Sequence, residues 1–114
     1  MSYKIKFKND SYKKSRGGYS RLLDISCTHC GGHLFYYQKD GPGLLKRMYL
    51  DRIYKSDKYF DLNKRPLSAH PPLVCTGCKE LLGVPYIYKR ENRPAYRLFV
   101  GTISKKIVSS KKVK

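Results

Sequence analysis

The chain has 114 residues, a length that predicts a single domain, and 40% of its residues are hydrophobic, which allows a modest core. It carries 25 lysines and arginines against 8 aspartates and glutamates, a formal net charge of +17. The mutual repulsion of these positive charges favours a polyanionic partner, and we expect nucleic acid rather than an anionic membrane surface. No run of about 18 apolar residues occurs, so no segment is expected to span a bilayer.

Residues 1–20 are predicted to form a basic N-terminal arm. Apolar side chains alternate with lysines at Tyr3, Ile5 and Phe7, which predicts a strand over residues 3–8. Residues 9–20 show no periodicity and are expected to form a flexible loop, either solvated or ordered by phosphates. The arm has no apolar stretch of the kind that directs export, so we expect a cytoplasmic protein.

Two C-x-x-C pairs, Cys27 with Cys30 and Cys75 with Cys78, use all four cysteines of the chain. A turn of this kind aims both sulfurs at one point, and two turns supply the four soft ligands of a tetrahedral metal site. The pattern therefore predicts one structural Zn²⁺ with no open position for water.

Two alternatives to zinc use the same cysteines. Disulfides require an oxidising compartment, which the absence of an export signal disfavours. Iron would take the same four thiolates and is not excluded by the sequence, although a strongly basic surface is not expected of a small electron carrier.

Gly31 follows the first pair and suits a turn with positive φ, whereas Lys79 holds that position after the second pair.

Strand formers dominate residues 34–38, which end at the turn sequence of residues 40–43. Residues 85–89 and 95–100 predict two further strands joined by the polar turn 90–94, and Ile103, Ile107 and Val108 extend a last strand. In residues 44–54, Leu45, Met48, Tyr49, Arg52 and Ile53 have helical spacing, which favours a short helix and leaves a strand as the alternative.

The fold class predicted from these segments is a small, mainly-β zinc ribbon in which β-hairpins surround the four-cysteine site, with one short helix and basic, flexible termini. The ribbon domain would span residues 21–103 and would contain an insertion over residues 44–72. The arm 1–20 would precede it, and a basic tail, 104–114, would follow it.

At Cys27-x-x-Cys30-Gly31 and Cys75-x-x-Cys78 the chain resembles the broad zinc-ribbon group, over about half of its length. That group includes several ribosomal proteins, parts of RNA polymerase subunits and general transcription factors, so the resemblance implies zinc and a fold rather than one function. Zinc ribbons that promote transcript cleavage carry two acidic residues at a hairpin tip. Here Arg90 and Arg93 flank the single acid Glu91, and that activity is not expected.

The function we expect is a zinc-stabilised structural protein that binds RNA, either a ribosomal protein on rRNA or a ribosome-associated one beside neighbouring ribosomal proteins. Eleven tyrosines support RNA, because exposed tyrosines beside arginines can stack on unpaired bases. The alternative is a zinc-ribbon accessory factor of transcription or repair that associates with DNA. No free cysteine, H-E-x-x-H motif, phosphate loop or carboxylate cluster is present, so neither an enzyme nor a small-molecule substrate is expected.

The candidate nucleic-acid contacts are basic side chains in four parts of the chain. They belong to the arm, to residues 44–54, to the predicted hairpin and to the tail: Lys4, Lys6, Lys8, Lys13, Lys14, Arg16, Arg21, Lys46, Arg47, Arg52, Lys89, Arg90, Arg93, Arg97, Lys105, Lys106, Lys111 and Lys112.

Overall fold

The computed structural model describes residues 7–56, 59 and 62–109. Within them lie one short helix, α1 (Ser11–Ser15), and eight strands. The strands are β1 (Ser20–Cys27), β2 (His33–Asp40), β3 (Arg47–Tyr49), β4 (Ile53–Tyr54), β5 (Leu73–Val74), β6 (Leu81–Tyr88), β7 (Arg93–Leu98) and β8 (Ile103–Val108). The predicted mainly-β class, with antiparallel sheets, one short helix and clustered cysteines, is confirmed. No helix of this described part is long and apolar enough to cross a membrane.

The strands form two four-stranded sheets that share one core. The first sheet has the order β4-β2-β1-β8 and the second the order β3-β7-β6-β5. Leu23, Ile25 and Phe35 of the first sheet pack with Leu82 and Tyr96 of the second in a single buried cluster. The chain therefore builds two layers, each of which buries one face against the other.

The hairpin of β1 and β2 shows why these segments form strands. Leu23, Ile25 and Cys27 share the face of β1 that is buried in the core between the sheets, and Asp24 and Ser26 between them are more exposed. Leu22, on the opposite face, is buried in a second cluster with Tyr36. Across the ladder Leu23 is paired with Tyr37, and Ile25 with Phe35. These cross-strand pairs of aliphatic and aromatic side chains contribute to both the register and the core.

The helix favoured over residues 44–54 is wrong. This segment forms β3, a single 3₁₀ turn (Leu50–Arg52) and β4, and it crosses from the second sheet to the first. Met48, Leu50 and Ile53 are all buried because the segment runs through the core between two sheets. That crossing buries side chains on both faces and so produces spacings that resemble those of a helix.

The predicted hairpin near the C-terminus is confirmed, because β6 pairs with β7 from Gly83–Leu98 to Tyr88–Arg93. The predicted last strand is also present as β8, which pairs with β1 at the edge of the first sheet. The segment expected to be a flexible tail from residue 104 onward therefore begins as part of a sheet. Residues 110–114 lie outside the described residues.

The arm also differs from the expectation. The strand predicted over residues 3–8 lies largely outside the described residues, but Phe7 packs against the outer face of the first sheet. Gln38, which is fully buried, accepts from the Lys8 backbone N–H at 2.8 Å and donates to the Lys8 carbonyl at 2.9 Å. The loop expected over residues 9–20 contains α1, whose N-cap Asp10 accepts from the Lys13 N–H at 3.1 Å.

Beyond β4, the described part of the predicted insertion contains two further 3₁₀ turns, Leu62–Lys64 and Leu67–Ala69. Buried polar contacts fix it to the body of the protein. The Tyr59 hydroxyl donates to the Val74 carbonyl at 3.1 Å and accepts from the Val74 N–H at 3.0 Å. His70, to which the sequence assigned no role, is buried with its Nε2 at 2.6 Å from the Leu62 carbonyl oxygen. These contacts are structural.

Gly41 gives a direct test of the packing between the arm and the first sheet. A Cβ at Gly41 would lie 2.2 Å from the Arg16 carbonyl oxygen, whereas one at Gly43 would meet nothing within 4 Å. Both residues have positive φ. We expect Gly43→Ala to cost about 1 kcal/mol of unfolding free energy from backbone strain, and Gly41→Ala to cost about 1–3 kcal/mol more from the clash. Urea unfolding measures both, and equal losses would contradict this packing.

Candidate metal centre and cationic surface

The four cysteines meet at one end of the core. Their Sγ atoms all lie within 4.8 Å of one another, with Cys27 at 3.7 Å from Cys78 and Cys30 at 3.6 Å from Cys75. A disulfide would bring two sulfurs to about 2.05 Å, so these are four separate thiols that can hold a metal ion. Cys27 and Cys75 are buried, while Cys30 is exposed.

Each sheet contributes one cysteine pair through a hairpin. The first pair lies at the turn between β1 and β2, and the second at the turn between β5 and β6. The sulfur atoms therefore form one of the points at which the two sheets meet outside the apolar core. A single ion bound there would tie the two layers together.

The two turns have matching backbone hydrogen bonds. The Cys27 carbonyl accepts from the Gly31 N–H at 2.8 Å, and the Cys75 carbonyl accepts from the Lys79 N–H at 2.9 Å. The N–H groups of Cys27 and Cys75 donate in turn to the carbonyls of Gly32 and Glu80, both at 2.9 Å. The same local geometry is thus built twice from different residues.

This repeated geometry puts Gly31 and Lys79 at equivalent positions. Gly31 has φ of 78° and Lys79 has φ of 66°, both in the left-handed region. Glycine reaches that region without a steric penalty, and lysine does not. The second turn therefore adopts the left-handed geometry without the glycine that the first turn supplies.

Backbone N–H groups and neighbouring thiols set the charge of the sulfurs. The N–H of Cys78, together with that of Gly77, lowers the pKa of Cys75 to about 6. The Glu80 N–H lowers the pKa of Cys78, but burial and the nearby thiols of Cys27, Cys75 and Cys30 outweigh it and raise that pKa to about 12. Four thiolates this close repel one another, so a bound cation would stabilise the fully deprotonated set and would release protons on binding.

The candidate nucleic-acid contacts fall into four groups in the structure. Eight are exposed: Lys14, Arg21, Lys46, Lys89, Arg90, Arg97, Lys105 and Lys106. Four are half-buried: Lys8, Lys13, Arg16 and Arg47. Two are buried: Arg52 and Arg93. Four lie outside the described residues: Lys4, Lys6, Lys111 and Lys112.

Arg52 belongs to the interior and not to the surface, because it is 1% exposed and surrounded by carboxylates. Its Nη2 donates to Asp10 at 2.7 Å and its Nε to Asp40 at 2.9 Å, and Asp51 lies 3.7 Å from its Nη1. Removing one member of such a buried network typically costs about 3–5 kcal/mol, because the remaining charge is left without compensation. Arg52 therefore fixes the arm, β2 and the crossing segment relative to one another.

Arg93 is also internal. Its guanidinium carbon lies 3.9 Å from the centre of the Tyr12 ring and 3.7 Å from that of Tyr49, and its Nη2 donates to Asp51 at 2.7 Å. A guanidinium held between two aromatic faces gains cation–π attraction. Arg93 thus connects α1 to β7. Like Arg52, it is buried, so its side chain is not accessible to a nucleic acid.

The remaining acid of this region, Glu91, pairs with Arg16. Arg16 donates from Nη1 to Glu91 at 2.9 Å and from Nη2 to the Tyr49 hydroxyl at 3.1 Å. The Arg16 guanidinium holds the pKa of Glu91 below its usual value, despite partial burial. Glu91 is therefore committed to an internal ion pair and does not offset the charge of the neighbouring Arg90.

Most acidic side chains of the described residues are held in ion pairs with arginine. Four of the six acids form such pairs: Asp10, Asp40, Asp51 and Glu91. Asp24 instead contacts the exposed ring of His33 at 2.7 Å. The sixth, Glu80, is exposed, and it faces solvent together with twelve exposed lysines and arginines of the same part of the chain. The described surface is therefore more uniformly positive than the composition suggests.

Five tyrosines of the described residues are buried in the core: Tyr36, Tyr37, Tyr49, Tyr59 and Tyr96. Tyr96 is fully buried, and its hydroxyl donates to the Pro71 carbonyl at 2.7 Å. Tyr88 is half-buried, and the Arg47 guanidinium covers it at 4.0 Å from the ring centre. Tyr19 is 42% exposed. The tyrosine count therefore reflects packing and the support of arginines more than a stacking surface.

Lys39 was missed among the basic candidates. It lies at the end of β2 directly opposite Arg21, and its Nζ donates to the Gly41 carbonyl at 2.8 Å. Burial, followed by the charges of Arg21, Arg16 and Lys105, lowers the pKa of Lys39, although Asp40 opposes this shift. The sequence did contain a signal, because Lys39 lies between the predicted strand of residues 34–38 and the turn of residues 40–43.

Comparison of the chain with protein-family models, with curated proteins and with solved structures finds no match. Two features of the described residues bear on function. The four sulfur atoms could hold a metal ion, and the exposed side chains carry mostly positive charge.

The matched turns give a reciprocal test. We expect Lys79→Gly to raise the unfolding free energy by up to about 1 kcal/mol, because it removes left-handed strain. Gly31→Lys should introduce the same strain in the first turn and lower the unfolding free energy by a similar amount. Thermal unfolding of the two metal-loaded variants measures both, and a fall in melting temperature for Lys79→Gly would contradict the equivalence of the two turns.

Proposed function

We propose that the protein is a zinc-stabilised, non-catalytic RNA-binding protein that acts as a ribosomal or ribosome-associated component. The observation that carries this proposal is the separation of charge, with acids held in internal pairs and cations exposed. A surface of one sign raises the local concentration of an oppositely charged partner, and a polyanion relieves its self-repulsion.

Zinc is the metal that suits the four sulfurs best. Zn–S bonds of about 2.3 Å in a tetrahedron place the sulfurs about 3.8 Å apart. The closest pairs, at 3.6 and 3.7 Å, are near that value. A four-thiolate set leaves no position for water, so the ion would be structural. Its role would be to hold the hairpins of two sheets together, which requires no redox change and so favours zinc over iron.

RNA is favoured over duplex DNA by the shape of the cationic surface. The sequence-specific readers of RNA mostly take up unpaired nucleotides in loops and single strands. Arg16, Lys46 and Arg47 line a cleft of about 530 Å³, a volume suited to a single unpaired nucleotide. A ribosomal setting is proposed because rRNA would surround such a surface with phosphate.

The metal proposal predicts about one equivalent of zinc in purified protein, and a loss of folding when zinc is removed, since the binding free energy of a structural zinc is folding free energy. Cys27→Ser should lower the melting temperature strongly and reduce the zinc content. Metal analysis and thermal unfolding before and after chelation provide the measurements. Bound iron in place of zinc, or an unchanged melting temperature after chelation, would contradict the proposal.

The RNA proposal predicts co-sedimentation with ribosomal particles at low salt and release at high salt. In binding assays the affinity for single-stranded RNA should fall linearly on a log–log plot against salt, by about 0.7 per phosphate contact. Duplex DNA of matched charge serves as the comparison. Tighter binding to duplex DNA would favour a DNA-associated accessory factor instead, and no binding to either nucleic acid would refute the proposal.

A further inference from the structure

A cleft runs beside the turn that follows β2. Its larger part, of about 530 Å³, lies between the end of β2, the loop 41–46, β3 and Arg16. A smaller part, of about 400 Å³, adjoins it and shares Lys39, Pro42 and Gly43. Both volumes are within the range of about 300–1,000 Å³ that is common for small-ligand sites.

The walls of the cleft are fixed by specific contacts. Gly41 donates to the Tyr19 carbonyl at 2.9 Å and approaches the Arg16 backbone so closely that no side chain would fit. Arg47 donates from Nε to the Tyr86 hydroxyl at 3.2 Å while its guanidinium lies over Tyr88. These contacts hold two arginines at the larger part of the cleft in defined positions.

Six cationic side chains line the two parts together: Arg16, Arg21, Lys39, Lys46, Arg47 and Lys105. Arg16 is already paired with Glu91, which leaves five cations in the lining without a carboxylate partner there. The one acid in the lining, Asp40, is held by hydrogen bonds from Arg52 at 2.9 Å and from Gln38 at 2.8 Å. Like charges placed opposite each other across a ladder, as in Arg21 and Lys39, are destabilising. An anion in the cleft would remove that repulsion.

The cleft also has an apolar lip. Leu44 is 80% exposed, and it lines the larger part together with Pro42 and Leu45. Phosphate groups gain nothing from contact with an apolar surface, whereas the face of a nucleobase can pack against one. The combination of fixed arginines, a lysine cluster and an exposed leucine therefore fits a ligand with both an anionic and an apolar part.

We propose that this cleft holds one unstacked nucleotide of a single-stranded RNA. Its phosphates lie against the cations and its base lies against Leu44 and Pro42, while the adjoining smaller part takes the next phosphate of the strand. This inference rests on the proposed RNA-binding function and names the surface and the kind of RNA that it uses. A duplex, whose bases are stacked and paired, does not present such a nucleotide.

The test compares two pairs of exposed residues that carry the same charge. The cleft variant combines Arg21→Gln with Lys46→Gln, and the control combines Lys89→Gln with Arg90→Gln at the turn between β6 and β7. Affinity is measured at about 0.15 M salt for a ten-nucleotide RNA strand and for its blunt duplex. Two lost phosphate contacts should weaken single-strand binding about tenfold for the cleft variant, and the control should change it much less.

Leu44→Ser separates base contact from charge. It should weaken single-strand binding about fivefold or more without changing the salt slope, because contact with a base releases no counterions. Melting temperatures of all variants should stay close to that of the unaltered protein, since the altered side chains are exposed.

The outcomes distinguish the cleft from the wider function. Equal losses of affinity for the two charge variants, or an unchanged affinity for Leu44→Ser, would overturn the proposal that the cleft binds a nucleotide, while leaving the proposed RNA binding intact. Binding of the duplex as tight as that of the single strand would overturn the cleft proposal in the same way. Failure of the unaltered protein to bind either RNA would overturn both proposals. Losses confined to the cleft variant and Leu44→Ser, with weak duplex binding, would support the inference.

Discussion

Four sulfur atoms from two sheets meet within 4.8 Å of one another, in a cluster that can hold a metal ion. Cys27 and Cys75, the first cysteine of each pair, are buried in the common core with Phe35 and Leu82. Four thiolates at such distances would repel one another. With a cation between them, the same four groups become a covalent-like link between the β1–β2 and β5–β6 hairpins. The domain is small, and such a link supplies stability that its modest core does not.

A second constraint is the net charge of +17, and within the described residues four of the six acids form ion pairs with arginines. Arg52 and Arg93 are buried among Asp10, Asp40 and Asp51, and they hold the arm and the crossing segment together. Within the described residues, this arrangement leaves Glu80 as the one exposed acid beside twelve exposed lysines and arginines. That surface suits a protein whose working environment is itself anionic, and it connects the internal ion pairs to the proposed RNA binding.

The sequence predicted the features that depend on local pattern. The spacing of the cysteines, the strand formers after Cys30 and the turn between β6 and β7 each identified an element that is present. Features that depend on contacts between residues far apart in the chain could not be predicted from the sequence. Arg52 has partners 42 and 12 residues away, at Asp10 and Asp40, so no local pattern marks it as buried. The five-residue α1 is too short to show periodicity, and it depends on the contact of Tyr12 with Arg93. The proposed cleft was equally hidden, because Arg16, Lys39 and Lys46 come together only through the packing around Gly41.

The central claim, that one metal ion joins the two sheets, is tested most directly by hydrogen exchange at single-residue resolution with and without metal. The account predicts that removing the metal at neutral pH lowers the protection of backbone amides in β1, β2 and β6 together, because both hairpins lose the same link. Restoring zinc should restore the protection in all three strands. Protection that persists in both hairpins after the metal is removed would contradict the account, since the apolar core alone would then hold the sheets together.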